Sequence, residues 1–244
     1  MKKVFLFFML TICFCELYAQ DTEVLKDNGS WFTISNKVTV SDNFYIANVF
    51  QQRRVDFLDK TQAFLVAPSI NYKISKNLTI GVGYLFFQNY PNGVSSGSLK
   101  KNENRYFQDL VLTSNTGKFN FNNRLRFEQR AIEKIENNEI NGRVKVNRLR
   151  YRIQATTNLF KIKNSKYLLG KISNEIRIRF GTGLSDPDFD QNNFAALIGY
   201  KLLPNSSIWV GYGRFYFKKN STTFKSNNIL HINFSYNFDL RNKQ

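Results

Sequence analysis

Nine basic side chains set at alternate positions are the feature of this sequence with the most evident chemical potential. Arg124, Arg126 and Arg130 fall in one run, Arg148, Arg150 and Arg152 in a second, and Lys171, Arg177 and Arg179 in a third. Leu125, Phe127, Leu149, Tyr151, Ile176 and Ile178 stand between them. A period of two sends alternate side chains to opposite faces of a strand, so each run has one apolar face and one cationic face. Like charges on neighbouring strands repel, and compensation has to come from Asp109, Glu128 and Glu175. Three carboxylates are too few to neutralise nine cations, but they can bridge them. Two compatible readings follow: a structural ion network, or an interior that attracts anions as cationic rings do in anion-selective pores.

Other candidates are weaker. His231 is the sole histidine and could serve as a general base in a barrel-type lipid hydrolase or acyltransferase. Such a site needs a serine two residues away, and Ile229 and Asn233 occupy those places. Ser235 lies four residues on, about 13 Å along a strand at about 3.3 Å per residue, beyond hydrogen-bond reach. Asp186, Asp188 and Asp190, with Ser185 and Asn192, suggest a calcium loop but lack the glycine and terminal glutamate of that pattern. A solvated loop accounts for them. No zinc spacing, phosphate loop or nucleophile elbow occurs. The expectation is a protein without catalytic residues, metal or cofactor.

The elements that must position the basic ladder read as strands of about ten residues, the length a tilted strand needs to cross a bilayer. Eleven are clear, from Trp31–Val40 to the last, which carries Leu230, Ile232, Phe234, Tyr236 and Phe238. Short turns follow the odd-numbered strands and longer polar loops the even ones, the asymmetry of membrane barrels. The long loops include 88–104, 131–147 and 181–193. Tyr84, Phe86, Tyr90, Trp209, Tyr216, Phe217, Tyr236 and Phe238 gather near strand ends, as aromatic girdles do. The pattern predicts an all-β fold, an antiparallel up-and-down transmembrane β-barrel. Single-chain barrels have even counts, so residues 21–28 are expected to add a twelfth strand, ten being the alternative.

The first residues carry Lys2 and Lys3, an apolar run from Val4 to Phe14, and Leu17-Tyr18-Ala19. This predicts a secretory signal at 1–19 and one barrel domain at 20–244. Cleavage there removes Cys13 and Cys15, the only cysteines. The chain has 35 Lys+Arg and 18 Asp+Glu; removing Lys2, Lys3 and Glu16 leaves 33 against 17, a net charge of +16. An exported protein so basic suits anionic headgroups or small anions better than nucleic acid.

The features Trp31, Gln51-Gln52-Arg53-Arg54, Arg124-Leu125-Arg126-Phe127-Glu128-Gln129-Arg130 and Arg148-Leu149-Arg150-Tyr151-Arg152 resemble the exported barrels of domain of unknown function family 2490. The resemblance spans nearly all of the exported part and implies an outer-membrane barrel without supplying an activity. The expectation is therefore a non-enzymatic, monomeric barrel in the outer membrane of a Gram-negative-type bacterium. Its partners would be outer-membrane lipids, lipopolysaccharide and small anions, with no nucleic acid. A soluble secreted barrel binding an acidic ligand is the other alternative.

Overall fold

The computed structural model describes residues 22–94, 97–163, 166–181 and 187–241, so the signal segment and Ser185 and Asp186 of the acidic loop lie outside the described residues. Those residues form strands and no helix. In chain order they are β1 (Glu23–Thr39), β2 (Phe44–Val55), β3 (Lys60–Lys73), β4 (Leu78–Asn89), β5 (Lys101–Thr116) and β6 (Phe119–Glu136). β7 (Glu139–Lys163), β8 (Lys166–Phe180), β9 (Asp188–Leu203), β10 (Ser206–Lys218) and β11 (Thr223–Asp239) follow. Each pairs with the next in antiparallel register, and β1 closes on β11 to complete a barrel.

The closure differs from the expected twelve or ten strands. Eleven strands leave the first and last running the same way, so the seam is parallel, from Glu23 opposite Thr223 to Thr39 opposite Asp239. Residues 23–28, expected to form a strand of their own, are the beginning of β1. Parity is thus accommodated by one parallel pairing, which bonds the backbone as fully as an antiparallel one though with slanted geometry.

Several strands run past the expected boundaries. Residues 131–147, read as a long loop, are the end of β6 and the beginning of β7, joined only at Asn137-Asn138. Both asparagines have positive φ, 51° and 62°, the two-residue geometry whose twist matches antiparallel strands. At Pro68, which has no N–H to give, the β3–β4 register is interrupted between Val66 and Ser69, as a strand proline requires.

Period-two patterning decides the two faces. Leu125, Tyr151, Ile153, Ile172 and Ile176 point outward and are exposed, while Arg126, Glu128, Arg148, Arg150 and Arg177 point inward and are buried. The outer surface carries Phe189, Tyr216 and Phe224 in mutual contact, with Tyr216 and Phe224 stacked 5.2 Å apart. Trp209 and Phe217 are not part of an outer girdle. Trp209 is buried inside, its indole N–H donating to Ser207 Oγ at 3.0 Å, and Phe217 packs inside against Phe215.

Inside, aromatic rings lie across glycines on the adjoining strand. Phe107 covers Gly83 and Trp209 covers Gly199, each pair being cross-strand partners. A Cβ at either glycine would overlap the ring. The absent side chain lets a large ring lie flat against the wall. Replacing Gly199 by valine is therefore expected to displace Trp209, red-shift its emission and lower stability by about 1–3 kcal/mol. Urea unfolding of the wild type and of Gly199→Val, followed by fluorescence, checks this.

Candidate functional site

Register brings the basic runs together. Arg124 lies opposite Arg152 and Arg126 opposite Arg150 across β6 and β7. Arg150 faces Arg177 and Arg148 faces Arg179 across β7 and β8. Left alone, these like-charged pairs would repel. The carboxylates are placed between them.

Glu128 is fully buried and takes two arginines at once. Its Oε2 accepts from Arg148 Nε at 2.8 Å and Nη2 at 2.5 Å, and its Oε1 from Arg150 Nη1 at 2.5 Å. Glu175 serves three: Oε1 accepts from Arg150 Nη2 at 2.6 Å and Arg177 Nε at 2.7 Å, and Oε2 from Arg124 Nη2 at 2.6 Å. Asp109 holds Arg126 by a fork of two bonds, 2.6 and 2.7 Å. Such paired contacts fix orientation as well as charge. The three expected carboxylates and the arginines they bridge thus form one connected network.

Three further carboxylates join it. Glu103 receives forked bonds from both Arg105 and Arg130. Asp190 accepts from Arg148 Nη1 at 2.9 Å, and Asp188 from Arg179 at 2.9 Å and Lys218 at 2.8 Å. Glu103 and the two aspartates fall where the sequence reads as loop. Asp190 faces inward because β9 carries an extra residue there: Arg177 pairs with Gln191 and Ile178 with Phe189. A bulge re-aims one side chain, and alternation alone does not reveal it.

Of the nine predicted cations, Arg152 and Lys171 have no carboxylate bonded to them. Arg152 Nη2 donates to Asn122 Oδ1 at 2.8 Å, while its Nε is buried without a partner. Lys171 Nζ sits 3.7 Å from the centre of a Trp209 ring. A further cation, Arg53, lies outside the predicted set. Its guanidinium stacks 3.9 Å from Trp31, and its Nε donates to Gln51 at 2.8 Å. The signal for Arg53 was present in the alternation of Val49, Gln51, Arg53 and Val55.

At the level of the network and the space beside it, Arg53, Arg105, Arg124, Arg126, Arg130, Arg148, Arg150, Arg152, Lys171 and Arg177 make ten inward-facing cations among the described residues. Glu103, Asp109, Glu128, Glu175 and Asp190 make five carboxylates, an excess of five positive charges. Toward the long-loop end the interior is further filled. Lys225 pairs with Asp27 at 2.7 Å and donates to the carbonyl of Val94, whose N–H in turn donates to Asp27. The β4–β5 connection is thereby fastened over the interior.

His231 is buried against the edge of Trp31, ring centres 5.2 Å apart, and its Nε2 has no partner. Ser235 is engaged elsewhere, its Oγ 2.7 Å from Ser207 Oγ. Asp188 and Asp190 are occupied by arginine and lysine, and no metal-binding group of acidic or histidine side chains is found among the described residues.

Breaking a buried ion pair by removing one partner costs about 3–5 kcal/mol, because the other charge is stranded. Glu128→Gln is thus expected to destabilise the barrel by roughly that amount. Arg148→Met added to it should recover part of the loss, giving a double-mutant coupling well above that of an exposed pair. Urea midpoints of the four proteins measure it.

A family model described as "Protein of unknown function (DUF2490)" matches residues 28–228. No curated protein and no solved structure matches the chain.

Proposed function

Because the chain belongs to the DUF2490 family, whose function is unknown, we propose a role from the barrel itself: a non-enzymatic outer-membrane protein with a plugged, anion-attracting interior. One observation carries the reading, the inside-out distribution of side chains. Val82 and Ile70 are more than half exposed on the outer surface, whereas Arg148 and Glu128 have no exposure at all. Water would penalise an apolar belt that size; acyl chains welcome it, and a barrel leaves no unpaired edge for them to meet.

The interior favours holding an anion over passing one freely. Arg148, Glu128, Phe107, Ile229 and Trp31 are all nearly or fully buried, so side chains occupy the cross-section at the level of the network. The surplus of positive charge remains, and in a low-dielectric shell it attracts anions strongly.

The mature chain would carry no cysteine, which makes sidedness directly testable. Single cysteines at Ile153 and Gln154 should behave oppositely in membranes. Ile153→Cys should react with a lipid-soluble maleimide and Gln154→Cys should not; the reverse result would overturn the membrane reading. In planar bilayers the wild type is expected to show no steady conductance, and Glu128→Ala with Arg148→Ala should give anion-preferring steps. A large steady wild-type conductance would replace the plugged interior with a narrow open pore.

A further inference from the structure

Between the ionic network and the short-turn end, the barrel encloses a cavity of about 360 Å³, within the usual range for small-molecule sites. Its two sides differ in chemistry. From β6, β7 and β8 come Arg124, Arg152 and Lys171, and from β2, β3 and β4 come Val49, Leu65 and Leu85, with Gln51 and Arg53 of β2 beside them. Leu65 and Leu85 belong to an apolar cluster with Phe107.

The basic side is incompletely satisfied. Arg124 and Arg152 are cross-strand neighbours, and the Nε of each is buried with no acceptor. A buried donor left unpaired is costly. Glu175, which also lines the cavity, bonds Arg124 Nη2 at 2.6 Å but is shared with Arg150 and Arg177. Lys171 rests on the Trp209 ring with no carboxylate bonded to it. A single bound oxyanion would compensate these guanidinium groups and the Lys171 ammonium, and relieve the repulsion between the facing arginines. It would leave the apolar wall bare. A neutral apolar molecule would do the converse.

We propose that this cavity is a binding site for a medium-chain carboxylate, its head between Arg124, Arg152 and Lys171 and its apolar body along Val49, Leu65 and Leu85. The assignment rests on the reading of the interior as anion-attracting, and the test separates the two. The chain has two tryptophans. Trp31 lines the cavity and Trp209 lies beneath Lys171, so intrinsic fluorescence reports on both of its ends.

The experiment titrates octanoate into the full barrel in neutral maltoside micelles. A saturable fluorescence change is expected. Arg152→Gln and, independently, Lys171→Gln should weaken it at least about tenfold, the loss of one charge-assisted bond, while both retain the heat-modifiable gel mobility of a folded barrel. Octanol, with a neutral head, and inorganic phosphate, with no apolar body, should each bind at least about tenfold more weakly than octanoate. Octanol binding as tightly would make the cavity an apolar pocket, and phosphate binding as tightly would make it a free-oxyanion site; either overturns the assignment. An unchanged Arg152→Gln and Lys171→Gln titration would do the same. Quenching by iodide and caesium completes the set. Iodide quenching well above caesium, with a flat octanoate titration, would retain the anion-attracting interior and remove this ligand class. Equal quenching with a flat titration would remove both.

Discussion

Facing arginines inside a closed wall are the constraint on which the rest of this barrel depends. Arg124 against Arg152, Arg126 against Arg150, and Arg150 against Arg177 are repulsive pairs set by register. They coexist because Glu128 and Glu175 each reach several guanidinium groups at once. Register and network therefore fix each other. A slip of one residue in β6 would carry Arg124, Arg126 and Glu128 to the outer face and Leu125 and Phe127 to the interior. Every ion pair made by those β6 residues would be lost and the apolar belt interrupted in one step.

The network occupies only part of the interior, and the seam is built differently. Where β1 and β11 run parallel, the inward residues include Trp31, Ile229 and His231, packed with Phe215 from β10. Arg53 is the bridge between the two chemistries. It lies over the Trp31 ring and also near Phe87 and Phe215, contacts that favour a planar cation over an aromatic face. Toward the long-loop end the same seam carries one buried ion pair, Asp27 of β1 with Lys225 of β11 at 2.7 Å, so ring packing and charge both tie the odd strand to its neighbour.

The sequence made the strands, the faces and the core of the ion network legible, because period two holds along every regular stretch of strand. Asp109, Glu128 and Glu175 were identifiable as compensating carboxylates; Glu128 and Glu175 each bridge several arginines, and Asp109 holds Arg126. The remainder was hidden for specific reasons. Asp190 sits at a bulge, and a bulge breaks the alternation that marks an inward residue. Glu103 lies at the start of a strand whose first residues, Lys101 to Asn104, are as polar as a loop. The Asn137-Asn138 turn was readable in principle from its paired asparagines, but Gly142 and the charged residues around it leave Ile132, Ile135, Ile140 and Val144 too sparse to declare two strand ends. Strand parity was obscured because evenness describes barrels closed by antiparallel seams, and this one is not.

Full neutralisation would make the interior a purely structural plug, and it is not fully neutralised. A buried ion network offers little net stability over apolar packing of the same volume, so uncompensated cations add a cost with no return in the fold. Arg148 and Arg150 escape that cost through Glu128, Asp190 and Glu175. Arg152 and Lys171 have an amide and a ring instead, and both lie on the side of the network where the barrel leaves space. Charge surplus and empty volume coincide there, opposite a wall of aliphatic side chains. Stability explains the ladder as far as Glu175 reaches; beyond it, the proposed anion would supply the compensation that Arg152 and Lys171 lack.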